Sequence, residues 1–137
     1  MNERDTTLCM LMIAAALSGC TSLPQPCVAP ARLMATADMM FGRNVGDRLA
    51  VSDLAFAEFL AAEVTPRFPD GLTVIDARGQ WRDGAGALLR EPAKVVLVVF
   101  ADDAQKRADL IAIADAYKRK FRQQSVLTSV RAACVSF

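Results

Sequence analysis

The chain of 137 residues contains no histidine. That absence removes the Ser–His and Cys–His nucleophile pairs and the commonest metal ligand together. Neither sign of charge is in excess, since sixteen basic residues against fifteen acidic ones give a formal net charge of +1. Such a balance makes no long-range field to gather nucleic acid or a strongly acidic substrate, so no nucleic-acid partner is expected. Tryptophan and tyrosine occur once each. No apolar run approaches the ~20 residues a helix needs to cross a bilayer. There is no internal repeat, and the length suits one domain with a modest core. No catalytic set is recognisable, so the sequence names no reaction, and no cofactor is expected.

What is present begins with a greasy block. "LCMLMIAAAL", Leu8 to Leu17, has the length of a signal-peptide core. It ends in "LSGC", Leu17-Ser18-Gly19-Cys20. Two small residues before a cysteine, after an apolar core, resemble the bacterial lipobox. The resemblance implies that residues 1–19 are a signal peptide, and that Cys20 carries lipid on both its sulfur and its nitrogen. Three acyl chains anchor firmly, because each buried methylene contributes ~0.8 kcal/mol. The leading "MNERDTT" sets Arg4 against Glu3 and Asp5, and so departs from the positive flank of that pattern. Thr21, not aspartate, follows the cysteine. By the same resemblance this places the chain on the periplasmic face of the outer membrane, in a bacterial cell envelope. Residues 20–31 include "TSLPQPCVAP", rich in proline and without periodicity, and are expected to be a semi-extended tether.

Of the four cysteines, Cys9 would leave with the signal and Cys20 would take lipid. Cys27 and Cys134 remain, an even pair in an oxidising compartment. A disulfide is expected if the first and last strands are antiparallel neighbours; closing a loop of roughly 100 residues would contribute ~4 kcal/mol. The alternative is two free thiols, with Cys134 buried as a small hydrophobe. Two thiols without other ligands do not satisfy zinc, and no metal is expected. Met34, Met39 and Met40 suit strand packing better than a copper site.

Residues 32–137 carry the periodic patterns of a domain. "RLMATADMMF" alternates as a strand, with Leu33, Ala35, Ala37, Met39 and Phe41 on one face. "GRNVGDRLAV" is expected to be a loop. Ser52 offers a helix N-cap, and Phe56, Phe59, Leu60 and Val64 make one apolar stripe before Pro66 and Pro69 stop the helix. Leu72 to Asp76 is expected to be a strand that buries Leu72, Val74 and Ile75, with Gly79 a bulge and Asp83-Gly84-Ala85-Gly86 a hairpin turn. The returning arm is interrupted by Pro92 and continues through "KVVLVVF", apolar on both faces as a central strand is. A second helix opens at Asp102 and Asp103, closes on Lys118 to Arg122, and buries Leu110, Ile113, Ala114, Tyr117 and Phe121. The last strand covers residues 125–135. The order predicts an α+β fold: a ferredoxin-like βαββαβ sandwich, an antiparallel four-stranded sheet in the order 4-1-3-2 with two helices on one face.

"EVTPRFPDGLTVIDARGQW", the "KVVLVVF" strand and the terminal "CVSF" resemble a family of small bacterial lipoproteins known only as a domain of unknown function. The resemblance covers residues 27–137 and implies a secreted or anchored α/β domain without assigned catalytic residues. Within the long motif, turn and strand roles account for most positions. The remainder give binding candidates Arg67, Asp70, Asp76, Arg78 and Trp81, a set that could bind a small anion or do acid–base work. Ordinary surface ion pairs are the competing account of the same residues.

The expected function is therefore a lipid-anchored envelope module for binding or interaction, its ligand unidentified. The competing class is a small cofactor-free enzyme, isomerase-like or monooxygenase-like, with a pocket near Val64–Trp81; that rests on fold analogy. A sheet with helices on one face and "VVLVVF" at its centre leaves apolar side chains uncovered, so a homodimer through the open face is expected. The basic "KRKFR" cluster is explained by the helix C-terminus more simply than by contact with lipid head groups.

Overall fold

The computed structural model describes residues 26–82 and 84–137. The expected signal peptide, Cys20 and Asp83 of the expected hairpin turn lie outside the described residues.

Strand β1, Arg32–Gly42, turns its odd positions inward: Ala35, Ala37, Met39 and Phe41 are at most 1% exposed. The following loop is more ordered than expected. It folds a short ladder, β2 (Asn44–Val45) against β3 (Arg48–Leu49), around Gly46, whose φ of 64° favours glycine. Ser52 caps helix α1, Asp53–Phe59, by accepting from the Ala55 N–H at 3.1 Å. The expected single helix to Val64 is corrected here. Leu60–Val64 forms a π-helical turn, in which the Thr65 N–H reaches the Leu60 carbonyl at 2.9 Å. Pro66 lies just beyond, and its ring cannot follow an ordinary helical turn.

Strand β4, Leu72–Arg82, runs longer than the sequence suggests. Its register with β5, Leu88–Phe100, is unbroken from Leu72 opposite Val98 to Arg82 opposite Leu88, so Gly79 is no bulge. Pro92 does not interrupt β5 either. The Arg43 N–H donates to the Pro92 carbonyl at 3.1 Å, while the Arg43 carbonyl, which a residue-92 N–H would otherwise have reached, is taken by the Ala50 and Val51 N–H groups. The missing donor therefore leaves no orphan.

Helix α2, Ala104–Phe121, starts at Asp103, whose carboxylate accepts from the Lys106 N–H at 2.7 Å, and ends on Arg122 in the left-handed region at φ 54°. Strand β6, Leu127–Val135, pairs antiparallel with β1, and Leu33 faces Cys134. Cys27 and Cys134 form a disulfide across this edge, with Cα atoms 5.4 Å apart.

The four long strands stand in the order β4-β5-β1-β6, all neighbours antiparallel. This mixed α/β architecture has its core on one face of the sheet, where Phe41, Phe56, Phe59 and Tyr117 pack mostly edge-to-face with centroids 4.7–6.3 Å apart. Leu110 and Ile113 join them, and Ala114 and Phe121 pack at the margin. Val74 and Ile75, expected inside, are 37% and 50% exposed. Both stand on the edge strand β4: Val74 on the helix side, where Leu72 is the residue of this strand that packs against the core, and Ile75 on the open face.

Candidate functional site

The end of the sheet where β1 stops is built around Glu91. β5 carries this residue two positions beyond the last β1 pair, Gly42 opposite Ala93. Its carboxylate therefore finds no strand beside it and is held by two N–H donors instead. The Trp81 indole donates to Oε1 at 3.0 Å, and the Asn44 backbone N–H donates to Oε2 at 3.0 Å. Gly42 makes the seat possible: a Cβ there would lie 2.6 Å from Oε1 and 2.7 Å from Oε2. The backbone beneath is fastened from the end of α2. The Tyr117 hydroxyl donates to the Gly42 carbonyl at 2.8 Å, and the Gln123 amide donates to the Asn44 carbonyl at 2.8 Å. Burial pushes the Tyr117 hydroxyl well above the ordinary tyrosine range, so it stays a neutral donor.

Three hollows border this carboxylate, and two of them share Trp81 with it. One, of about 610 Å³, opens between the β2–β3 ladder, the β4–β5 arms and the residues after α2, including Arg122. The other, of about 220 Å³, lies on the open face of the sheet, floored by Gly42, Gly79 and Ala93 and edged by Met40 and Leu127. Trp81, Glu91, Gln123 and Gln124 line both. Glu91 is the one charged residue bordering the smaller hollow.

A second charged cluster sits on the helix-side face. Arg43 and Lys94 are 7% and 8% exposed. Arg43 donates from Nε to the Val51 carbonyl at 2.8 Å and pairs with Asp53 at 3.2 Å. Lys94 pairs with Asp53 at 2.7 Å and with Asp76. Its bonds to Asp53 and Asp76 raise the Lys94 pKa above the ordinary lysine value, against the opposing effect of burial. Chiefly through Lys94, and then through the charge of Arg43, the Asp53 carboxyl is held below the usual range. Every member is paired within the cluster, which ties the start of α1 to β4 and β5.

The expected site residues do not converge. Arg67 folds back on its own helix end, donating to the Glu63 carbonyl at 2.6 Å and pairing with its carboxylate at 2.9 Å. Asp70 is exposed in the turn before β4, separated from Trp81 by nearly the whole strand, about 30 Å at ~3.3 Å per residue. Asp76 is absorbed by Lys94, and Arg78 is exposed two residues on, along the same side of the strand; both border the third hollow, of about 500 Å³, with Arg43, Arg90 and Glu91. Trp81, at an odd position, faces the opposite side, and of the five it is the one that hydrogen-bonds Glu91 and lines the two hollows on that side. Glu91 was not singled out from sequence; its being the one acidic residue of this strand was the available signal. Among the described residues, no group of His, Cys, Asp or Glu is arranged to hold a metal ion, and no helix is long and apolar enough to cross a membrane.

A two-helix, four-stranded antiparallel sandwich with a carboxylate-bearing cleft at one end of its sheet is the class of protein these features define. The chain belongs to the family described as "Protein of unknown function (DUF3574)", whose model matches residues 36–137. None of the curated proteins matches it. Among solved structures, a phage SAM lyase in complex with S-methyl-5'-thioadenosine aligns with TM-score 0.62 at 15% identity, over 85% of this chain and 97% of that one. The same lyase in its apo state gives TM-score 0.58 at 15% identity and the same coverage. CutA from Synechococcus elongatus PCC7942 aligns with TM-score 0.49 at 10% identity, over 74% of this chain and 78% of that one. At these identities the likeness is one of fold.

Proposed function

We propose that the protein is a lipid-anchored cell-envelope module of ferredoxin-like βαββαβ form that binds a small ligand at the Trp81–Glu91 cleft. The observation that carries this is the Glu91 carboxylate. It is fixed by an indole and a backbone N–H above a glycine that must lack a side chain, at the junction of two hollows. A carboxylate placed so deliberately in a concave, partly apolar site is a recognition group. The lipobox-like "LSGC" supports acylation at Cys20, and the Cys27–Cys134 disulfide fits an oxidising envelope compartment. The open face of the sheet accepts a second copy of the chain. An enzyme of isomerase-like or monooxygenase-like kind remains the competing class, since Trp81 lines a well-formed cleft as that alternative requires.

Native mass spectrometry of the protein purified from its own envelope tests these claims together. The expected spectrum shows a chain starting at Cys20 with three acyl chains, a dimer, and a retained small molecule that is lost on Glu91→Ala. An unacylated chain recovered with its leader intact overturns the anchoring, and an empty wild-type protein overturns the binding claim. Conversion of the retained molecule on incubation would move the protein to the enzyme class.

A further inference from the structure

The register fixes which side chains share the open face. One cross-strand row runs Leu127, Met40, Val95, Ile75, through all four strands. Leu127 is 58% exposed, Met40 41% and Ile75 50%, so this is an uncovered apolar band. The next row toward the end of the sheet is Gly42, Ala93, Ala77, and then Gly79 stands beside Glu91. These small residues make a depression between the band and the wall formed by Trp81 and Glu91, which is the smaller hollow. A ligand lying there has a floor and two sides but no roof.

We infer that the roof is a second copy of this chain, and that the shared site takes a small ligand with a cationic or N–H-donating head on an apolar body. The inference rests on the proposed function in taking the Trp81–Glu91 cleft as the binding site. Three observations favour a second copy as the occupant. The band crosses the whole sheet, so a two-fold axis through the face lays it against its own copy, apolar on apolar. Charge does not interrupt the band: Asp38 pairs with Arg131 at 2.8 Å, and Glu91 stands beyond the band, in the hollow. The area is sufficient. Four strands ~4.8 Å apart and about 33 Å long offer some 600 Å² before side-chain relief, close to the ~800 Å² per partner of a standard interface. The ligand chemistry follows from the lining. Glu91 brings the one charge, each of its oxygens retains acceptor capacity, and Met40, Leu127 and the Trp81 ring supply the apolar walls.

The test uses the acylated full chain in non-ionic detergent, with 2-phenylethylammonium as the probe and 3-phenylpropionate as its anionic counterpart. Trp81 is the single tryptophan, so its fluorescence reports the site directly. Expected are a dimer by analytical ultracentrifugation, saturable quenching by the cation and none by the anion. Glu91→Gln should weaken binding about tenfold or more, through loss of a charge-assisted contact. Ile75→Lys lies in the band outside the hollow. It should give a folded monomer, judged by circular dichroism, with binding lost by a similar factor. A wild-type monomer at high micromolar concentration overturns the inference, as does a monomeric Ile75→Lys protein that binds like wild type. Equal response to cation and anion overturns the ligand class. None of these results alters the acyl mass or the retained molecule, on which the broader proposal is judged.

Discussion

Alanine at position 42 should evict Glu91 from its seat without harming the backbone. Gly42 does not sit at positive φ, so alanine brings no backbone strain. The added Cβ would instead come 2.6 Å from Oε1, 2.7 Å from Oε2 and 2.8 Å from Cδ of Glu91. The carboxylate is the free end of a flexible side chain, so it yields and the strand does not. In moving it gives up its bonds to the Trp81 indole and the Asn44 N–H, both 3.0 Å. Hydrogen bonds to a charged group contribute about 1.5–3 kcal/mol each, but a half-buried carboxylate recovers much of that in water, leaving mainly the orphaned Asn44 donor at about 1 kcal/mol or more. Against this, replacing glycine in a compatible conformation stabilises by ~0.4–1 kcal/mol through the unfolded chain. A small net loss follows, up to about 1 kcal/mol, with a red-shifted and more quenchable Trp81 emission. The decisive measurement is the double-mutant cycle with Glu91→Ala, read by urea unfolding. Once the carboxylate is absent, Gly42→Ala should become neutral or slightly stabilising, a coupling of about 1 kcal/mol or more. Gly79→Ala is the control on the same face, since its Cβ would meet nothing closer than the Ala93 Cβ at 4.0 Å. Equal destabilisation by Gly42→Ala in both backgrounds would show that the seat is not what the glycine provides.

Replacing Cys27 and Cys134 by serine opens a loop of 107 residues. In the chain-entropy model this removes about 5 kcal/mol, seen as a large fall in urea midpoint, and an unchanged midpoint would refute a native cross-link. Acid should destabilise through Asp53. Its folded pKa lies below the unfolded value of 3.8, so the stabilisation is present above that pH and is lost as pH falls through the folded value. Asp53→Asn should flatten the pH dependence of unfolding in that window. Alkali acts with the opposite sign. Lys94 and Tyr117 both have folded pKa values raised above 10.5 and 10.0, so their contributions hold below those values and fade as pH rises through the folded ones. Lys94→Met should remove part of this alkaline loss, measured as melting temperature against pH.

The architecture was legible because period and order agree. β1 alternates cleanly, β5 is apolar on both faces, and the capped helices carry matching stripes, so the four-stranded order and the Cys27–Cys134 contact followed together. The misreadings share a cause. Gly79 and Pro92 read as punctuation, yet both lie inside strands, since each effect depends on what the neighbouring strand presents. Gly79 stands beside Glu91, and Pro92 falls where Arg43 has turned away. Val74 and Ile75 read as core because they are aliphatic, but Val74 lies beyond the reach of the helices and Ile75 alternates onto the open face.

The site was illegible for a deeper reason. A motif dense in charged and turn residues draws attention along the chain, whereas a strand separates what the sequence keeps adjacent. From Asp70 to Trp81 the backbone runs nearly the length of the sheet, and alternation sends Asp76 and Arg78 to one face and Trp81 to the other. The partners of Trp81 come instead across strands: Glu91 from the return arm, Gly42 and Asn44 from the end of β1, Gln123 from beyond α2. None of the latter three is conspicuous alone. Their common property is position, at the level where β1 stops and β5 continues. There a polar side chain can replace a missing strand as the acceptor of N–H groups that would otherwise lack one. Glu91 is both that structural acceptor and the charge facing the hollow. The two roles separate on Glu91→Gln, in which the amide oxygen can still accept a hydrogen bond while the charge is gone. Stability should therefore fall less than with Glu91→Ala, while response to a cationic probe should be lost to a similar degree in both.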